Sequence, residues 1–234
     1  SIKPKRLGER RIIHYPQKRI IGLYVDRMKN PLIKICGITS EEEIRYIAKA
    51  GIDYAGFVLF FPKSKRNLSL ECAKKLIAKL PAGVVSVAVT VSPTKEQVKA
   101  VVEAGFLAIQ IHGKIEDSVI TSCRIPVFKA FNVSDMDAFS HYEEMDEVAG
   151  FVMDAAVPGS GKTFDWDLLQ KLPSTEKQVL LAGGLNPDNV GEALAACAGK
   201  IDGVDTSSGV ERTDGNGKSK ERIEAFVRTV RGNK

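Results

Sequence analysis

The sequence lacks several features that would point to common classes of protein. No apolar run approaches the roughly 20 residues that a membrane-spanning helix requires. The basic N-terminus has no uncharged apolar core of the kind found in secretory signals. The four cysteines form no Cys-x-x-Cys pair, which argues against a zinc or dithiol redox motif. We therefore expect a cytoplasmic protein without a disulfide framework or a membrane partner.

Positive charge is concentrated in the first 31 residues. That segment has nine Lys or Arg against two acidic residues, a net of +7, whereas the whole chain has a net charge of +5. The remaining residues sum to −2, which argues against nucleic-acid binding by the globular part. The segment has no sustained helical or strand period and no amphipathic face. We interpret residues 1–31 as a basic leader or linker and residues 32–234 as one domain.

Apolar β-branched runs alternate with segments of helical periodicity from Leu32 onward. Eight such pairs in about 200 residues predict an α/β fold, a single-domain (β/α)8 TIM barrel. An open doubly wound sheet is the alternative, but its Gly-x-Gly-x-x-Gly turn is absent. Strands are predicted at 32–36, 53–59, 84–90, 107–111, 126–131, 149–153, 178–182 and 201–205. Helices are predicted at 40–50, 69–80, 94–104, 115–123, 135–145, 165–172, 187–197 and 218–231.

Cys36 is the most informative residue, because it ends the first predicted strand and is followed at once by a tight turn, Gly37-Ile38-Thr39. In a TIM barrel the carboxyl ends of the strands form the active face. A thiol placed there can serve as a base or a nucleophile, provided that a nearby cation or dipole lowers its pKa. The other three cysteines lie in helix-like segments, and we interpret them as small apolar fillers.

Asp154 ends the sixth predicted strand and precedes a loop rich in Gly and Ser, residues 155–163. A carboxyl group enclosed at such a position can have a raised pKa, which suits a general acid. A loop cap or an ion pair with Lys162 is the alternative. The presence of Cys36 on the same rim favours the catalytic interpretation.

Two late loops have the composition of a phosphate cradle. One contains Gly183 and Gly184 after the seventh strand, and the other contains Ser207 and Ser208 after the eighth. Glycines let backbone N–H groups approach an anion closely, and barrels often bind phosphate at these two strand ends. A simple tight turn at the glycine pair is the alternative.

Several polar side chains are candidates for substrate binding. Arg66, after strand two, could bind a carboxylate bidentately, unless it is solvated like its lysine neighbours. Gln110 and His112 at the end of strand four should point the same way, and either contact a ligand or satisfy a polar barrel layer. Asp205 could hold the phosphate loop or contact a substrate hydroxyl.

Lys129 in the fifth strand is expected to line the pocket, with a Schiff base to a carbonyl substrate as the alternative. The three histidines are dispersed along the chain, so no three-histidine metal site is apparent.

Six motifs occur in an order that resembles the phosphoribosylanthranilate isomerase family of tryptophan biosynthesis. The resemblance covers about residues 32–231. Each motif alone is modest, whereas the ordered set is specific. The motifs are Lys34–Thr39, Ser64–Arg66, Ile109–Gly113, Val152–Asp154, Leu181–Pro187 and Val204–Glu211.

The resemblance implies an aldose–ketose isomerase, an intramolecular oxidoreductase that needs no metal or organic cofactor. Its substrate would be a phosphorylated small molecule, N-(5-phosphoribosyl)anthranilate. The product of this Amadori rearrangement would be 1-(2-carboxyphenylamino)-1-deoxyribulose 5-phosphate. Asp154 would be the general acid and Cys36 the general base, while Arg66 would bind the anthranilate carboxylate. The backbone around Gly183, Gly184, Ser207 and Ser208 would bind the phosphate.

Residues 1–31 lie outside the family pattern. They are open to interpretation as part of a fused neighbouring pathway enzyme, a segment that associates with one, an interaction arm or a cloning remnant. For the barrel, another phosphosugar isomerase, epimerase or aldolase is the alternative function. An aldolase using Lys129 would be trapped by borohydride. A catalytically idle scaffold is the third interpretation, and it would be indifferent to replacement of Cys36.

Overall fold

Eight parallel strands form a closed barrel in the computed structural model, which describes residues 30–155 and 172–232. The strands are β1 (Leu32–Cys36), β2 (Tyr54–Leu59), β3 (Val85–Val91), β4 (Ala108–His112), β5 (Val127–Asn132), β6 (Val148–Asp154), β7 (Gln178–Ala182) and β8 (Gly203–Thr206). The barrel closes because β1 pairs in parallel with both β2 and β8. A two-residue strand, Asn67–Leu68, adds to the edge of β2.

Seven helices surround this barrel in the described part of the chain. They are α1 (Glu41–Ala50), α2 (Leu70–Ile77), α3 (Lys95–Glu103), α4 (Asp117–Thr121), α5 (Phe139–Glu143), α6 (Val190–Ala196) and α7 (Lys220–Arg231). None of the helices in residues 30–155 and 172–232 is long and apolar enough to cross a membrane.

The predicted (β/α)8 barrel is confirmed, and each predicted strand coincides with an observed one to within two residues at either end. Of the predicted sixth helix, residues 165–171 lie outside the described part, and so does most of the proposed leader.

Helix length follows the presence of an N-terminal cap. The side chains of Ser40, Ser69, Thr94 and Ser219 each accept a backbone N–H, and the helices that they begin have 8 to 12 residues. By contrast, α4, α5 and α6 have no side-chain cap and only 5 to 7 residues. A missing cap leaves backbone donors without a partner and shortens the helix. The predictions at 115–123, 135–145 and 187–197 were too long, and so was the prediction at 69–80, which extended three residues beyond the end of the capped helix α2.

Side chains of the strands alternate between the barrel interior and the layer beneath the helices. The interior apolar cluster contains Leu32, Tyr54, Val87, Val89, Ala108, Phe128, Ala130, Val152 and Leu180. The outer cluster takes the alternate positions, such as Ile33, Ile35 and Phe57. Lys34 and Cys36 share the parity of Leu32, and this alternation therefore directs both side chains inward.

The last helix fastens the closure of the barrel. Nη1 of Arg231 donates to the Pro31 carbonyl at 2.6 Å, and Nη2 lies 3.2 Å from Oδ2 of Asp53. The same Oδ2 accepts the backbone N–H of Ile33 at 2.8 Å. The start of β1 is therefore held by α7, which also packs against α1 and α6.

Replacing Phe226 of α7 with Ala should destabilise the fold by about 3–5 kcal/mol, because the ring is fully buried and its loss leaves a cavity. Chemical denaturation followed by circular dichroism measures the free energy of unfolding. The matched control is Arg228→Ala on the exposed side of the same helix, with a change within about 0.5 kcal/mol. A loss below about 1 kcal/mol for Phe226→Ala would contradict this closure.

Candidate active site

The expected site residues meet at one face of the barrel. Cys36 ends β1, Asp154 ends β6, and Asp205 is the penultimate residue of β8. Because all eight strands are parallel, these residues lie at the carboxyl face, where active sites of TIM barrels are found.

A buried ion pair lies beside the thiol. Lys34 and Asp205 are direct partners in the register of β1 and β8, and Nζ lies 2.8 Å from Oδ2. Their side chains are only 1% and 8% exposed. Lys34 precedes Cys36 by two residues on the same inward face of β1, so the ammonium is adjacent to both the thiol and the carboxylate.

The thiol is subject to opposing electrostatic effects. Burial raises the pKa of Cys36, the Lys34 ammonium lowers it, the Asp205 charge raises it, and Lys218 lowers it. Burial has the largest effect, so the pKa lies above its ordinary value. The sequence-based expectation required a lowered pKa, and the protein groups alone do not provide it. The two lysines reduce the cost of forming a thiolate, and a further positive charge would have to complete its activation.

Asp154 acts electrostatically on the same cluster. Burial raises the pKa of Asp205, the Lys34 ion pair lowers it, and the negative charge of Asp154 raises it further. Thus the acid of β6, the carboxylate of β8 and the thiol of β1 belong to one electrostatic unit.

Gly56 provides the space that the thiol occupies. It is the direct register partner of Cys36 on β2, and a Cβ built on it would lie 2.8 Å from Sγ. Any larger residue at position 56 would displace the sulfur atom.

Gln110 and His112 lie on the same face of β4, as predicted. Nε2 of Gln110 lies 2.7 Å from Nε2 of His112. Burial, together with the charges of Lys34 and Lys129, lowers the pKa of His112 to about 4, so the ring is neutral near pH 7. Oε1 of Gln110 and Oδ1 of Asp205 are buried without a hydrogen-bond partner among the described residues. Both are acceptors that hydroxyl groups of a ligand could satisfy.

The prediction that Lys129 lines the pocket was wrong. Its neighbours Phe128 and Ala130 belong to the barrel interior, and the two-residue alternation turns Lys129 outward. The ammonium lies 4.7 Å from the ring centroid of Phe131 and 5.1 Å from that of Tyr142, beneath α5. Burial lowers the pKa of Lys129 to about 8, but the group faces away from the thiol.

The two candidate phosphate loops lie side by side. Oγ1 of Thr206 donates to the Leu185 carbonyl at 2.6 Å, and Gly209 packs so closely on that carbonyl that no Cβ would fit. Gly183 and Gly184 have φ angles of 108° and 71°, the left-handed region that favours glycine. Ser207 and Ser208 begin the neighbouring loop, in which residues 208–210 form a short 3₁₀ helix.

Arg66 lies over the turn that follows β1. Its Cδ occupies the space where a Cβ at Gly37 would be, and its Nε donates to Oε1 of Glu211 at 2.6 Å. Lys65, its neighbour, contacts the other oxygen, with Nζ 3.0 Å from Oε2 of Glu211. The alternative of a solvated arginine is excluded by this contact, since the Arg66 side chain is only 25% exposed.

Sequence reasoning gave no role to Lys34, Lys218 or Glu211. A lysine two residues before Cys36 within an apolar strand was a usable signal for Lys34. Lys218 has no such signal, because it follows a polar Gly-rich turn. Yet its side chain is fully buried, and its Nζ donates to the Ser207 carbonyl at 3.0 Å and to Ser207 Oγ at 3.2 Å. Ser207 Oγ in turn donates to the Cys36 carbonyl at 3.0 Å.

Within residues 30–155 and 172–232, no group of three or more His, Cys, Asp or Glu side chains is arranged to hold a metal ion. A closed (β/α)8 barrel with a thiol and two carboxyl groups at its carboxyl face has the groups required of an enzyme that moves protons by general acid–base catalysis.

Comparison with known proteins specifies this class further. Residues 33–229 match the family model of N-(5'phosphoribosyl)anthranilate (PRA) isomerase. The isomerase of Streptococcus mutans is 37% identical over 201 residues, covering 85% of this chain and 98% of the relative. That of Acetivibrio thermocellus is 38% identical over 214 residues, covering 85% and 95%.

Solved structures agree with the sequence comparison. Phosphoribosyl anthranilate isomerase from Thermotoga maritima superposes with a TM-score of 0.73 at 34% identity, covering 86% of this chain and 99% of that one. A second isomerase structure, in complex with reduced 1-(o-carboxyphenylamino)-1-deoxyribulose 5-phosphate, gives a TM-score of 0.70 at 32% identity, with the same coverage. The chain belongs to the PRA isomerase family, whose members are aldose–ketose isomerases of tryptophan biosynthesis. The resemblance found in the sequence is thereby confirmed.

The neutral His112 should make the folded protein sensitive to acid. Its pKa is about 4 in the fold against 6.5 ordinarily, so between these pH values the unfolded chain binds a proton that the folded chain does not. Stability should therefore fall as the pH drops from 6.5 to 4, by about 2–3 kcal/mol from this residue. His112→Gln should remove that part of the pH dependence in denaturation curves.

The control is His141→Gln, whose side chain is 53% exposed in an ion pair with Asp117. Surface ion pairs contribute little to stability, so the free energy of unfolding of this variant should depend on pH as it does in the wild type. If the free energy of unfolding depends on pH equally in all three proteins, His112 does not resist protonation in the folded state.

Proposed function

We propose that the chain converts N-(5-phosphoribosyl)anthranilate to 1-(2-carboxyphenylamino)-1-deoxyribulose 5-phosphate, with Asp154 as general acid and Cys36 as general base. The observation that carries the assignment of these residues is the common cluster of Cys36, Lys34, Asp205 and Asp154 at the carboxyl face. Family membership supports the reaction itself.

Substrate binding is assigned from the groups that surround this cluster. The packed loops containing Gly183, Gly184, Ser207 and Ser208 would bind the phosphate through backbone N–H groups. Arg66 would bind the anthranilate carboxylate through its terminal nitrogens. The acceptors Gln110 Oε1 and Asp205 Oδ1 suit the ribose hydroxyls, because each is buried and lacks a partner within the described residues. Neutral His112 holds the Gln110 amide in place.

In the first step Asp154 donates a proton to the furanose ring oxygen. The ring carbon–oxygen bond breaks, the anthranilate nitrogen supplies its lone pair, and a protonated Schiff base forms. The carboxyl group must be protonated when the substrate binds.

In the second step the Cys36 thiolate removes the C2′ proton. The bonding electrons form the enolamine, which neutralises the iminium nitrogen and then tautomerises to the ketone. The iminium charge makes the C2′ proton acidic, and the same charge stabilises the thiolate beside it. It supplies the positive charge that burial of Cys36 requires in addition to the two lysines.

Neither Lys129 nor Lys34 suits the Schiff-base aldolase alternative. Lys129 faces away from the cluster, beneath α5. Lys34 does lie in the interior, and burial opposes its charge, but the adjacent Asp205 and Cys36 raise its pKa above the ordinary value. A lysine that forms a Schiff base needs the opposite shift.

The role of residues 1–31 is a separate proposal. We infer that they form a segment outside the catalytic unit, residues 32–234, and link it to or associate it with a neighbouring pathway enzyme. In support, every residue of the proposed site lies between Lys34 and Lys218. Localisation in a reducing cytoplasm is supported by the four free cysteines, which include the proposed base.

Cys36→Ser and Asp154→Asn should each lower kcat about 10²–10⁴-fold, because each removes a proton-transfer group. Binding of the reduced product analogue should change by less than about threefold, since each replacement keeps a polar group of similar size in place. Activity is followed by loss of the fluorescent substrate, formed from anthranilate and phosphoribosyl pyrophosphate by the upstream transferase. The exposed Cys72 provides the control, Cys72→Ser, with wild-type kcat. A Cys36→Ser enzyme with near wild-type kcat would exclude the thiol as base.

Lys34→Met should shift the rise of kcat/KM to higher pH, because a cation that stabilises the thiolate is lost. Lys34→Arg keeps the charge and should shift the profile less. Stability is measured alongside, since the change leaves Asp205 without its partner at a cost of about 3–5 kcal/mol. An unshifted profile in a folded Lys34→Met enzyme would argue against electrostatic support of the base by Lys34.

A further inference from the structure

We propose that Glu211 is a positioning residue for the substrate carboxylate: it fixes the guanidinium of Arg66 so that the two terminal nitrogens face the anthranilate group. The inference rests on the proposed role of Arg66 and extends it to a residue that touches no reacting atom.

Glu211 lies at the centre of three cations from two loops. Its Oε1 accepts from Nε of Arg66 at 2.6 Å and lies 3.2 Å from Nζ of Lys218, while Oε2 accepts from Nζ of Lys65 at 3.0 Å. The Glu211 side chain is only 9% exposed. Burial acts against its charge, but the hydrogen bonds from Arg66 and Lys65 and the charge of Lys218 lower the pKa of Glu211 to about 2. The carboxylate is therefore ionised at any pH at which the enzyme works.

The contact with Glu211 occupies one nitrogen of the Arg66 guanidinium and leaves the other two available to a ligand. Nε is taken by Glu211, whereas Nη1 and Nη2 have no hydrogen-bond partner in residues 30–155 and 172–232. The edge formed by these two nitrogens matches the two oxygens of a carboxylate. An arginine side chain has many rotamers, and fixing Nε beforehand removes part of the entropy that binding would otherwise cost.

Glu211 is itself held by the loop that contains the candidate phosphate-binding serines. Its backbone N–H donates to the Ser208 carbonyl at 3.1 Å, and Glu211 pairs with Lys218 in an antiparallel bridge. The backbone N–H of Lys218 donates to the buried carboxylate of Glu43 at 2.7 Å. The carboxylate subsite is therefore attached through Glu211 to the proposed phosphate subsite, and its position depends on that loop.

The test compares two ligands that differ by one group. The first is reduced 1-(o-carboxyphenylamino)-1-deoxyribulose 5-phosphate, and the second is the same compound without the carboxyl group. Glu211→Ala should raise the Kd of the carboxylated ligand about tenfold. The Kd of the ligand without the carboxyl group should stay within about twofold of the wild-type value. KM for the substrate should rise with little change in kcat. Glu211→Gln keeps an acceptor without the charge and should give a smaller effect of the same kind.

The matched control is Asp214→Asn in the same loop, an exposed residue near Arg212, which should change neither Kd. Equal weakening of both ligands by Glu211→Ala would indicate general disruption of the loop and would overturn the inference. Wild-type Kd values for both ligands would overturn it as well.

Arg66→Ala separates this inference from the proposed function. Suppose that Arg66→Ala weakens binding of the carboxylated ligand alone, and that Glu211→Ala leaves binding of both ligands unchanged. In that case only the positioning role of Glu211 is wrong. If Arg66→Ala does not distinguish the two ligands, the assignment of Arg66 to the carboxylate is wrong, and the role of Glu211 with it.

Discussion

The buried ion pair between Lys34 and Asp205 is the interaction on which the rest of the site depends. It joins the first and last strands of the barrel at a position where both charges are almost excluded from solvent. A buried pair of this kind adds little stability, because desolvation offsets the attraction between its charges. Its value here is therefore chemical: it places a cation next to the thiol and keeps a carboxylate oxygen available beside it.

The site is assembled from residues that are far apart in sequence but adjacent in the sheet. Lys34 and Asp205 are separated by 171 residues, and Ser207 contacts the backbone of Cys36 over the same separation. Closure of the barrel by α7 and Arg231 holds β1 in place, so the geometry of the thiol depends on helix packing at the opposite end. Changes that weaken this closure should therefore also lower activity, even though the contacts of Arg231 include no residue of the proposed site.

Much of this arrangement was predictable from the sequence. The alternation of strands and helices predicted the barrel. The position of Cys36, Asp154 and Asp205 at strand ends predicted that they lie on one face. The alternation of side chains along a strand predicted that Gln110 and His112 share a face. The same rule, applied to β5, would have turned Lys129 outward, because Phe128 and Ala130 fill the interior.

Other features could not be predicted, because they arise from contacts between distant loops. The contacts of the ionised Glu211 carboxylate with Arg66, Lys65 and Lys218 depend on the meeting of two loops that are far apart in sequence. The raised pKa of the Cys36 thiol depends on burial, which a strand-end position does not reveal. The sequence identified candidate reacting groups, whereas the electrostatic effects on Cys36 and Asp205 required the packed structure.

The most direct measurement of the central claim is a crystal structure with the reduced product analogue bound. The mechanism predicts the Cys36 sulfur within about 3.5 Å of the carbon that corresponds to substrate C2′. It also predicts an Asp154 oxygen within about 3.2 Å of the former ring oxygen. A complex in which the sulfur faces away from that carbon, or in which Asp154 contacts only protein, would contradict the proposed division of acid and base.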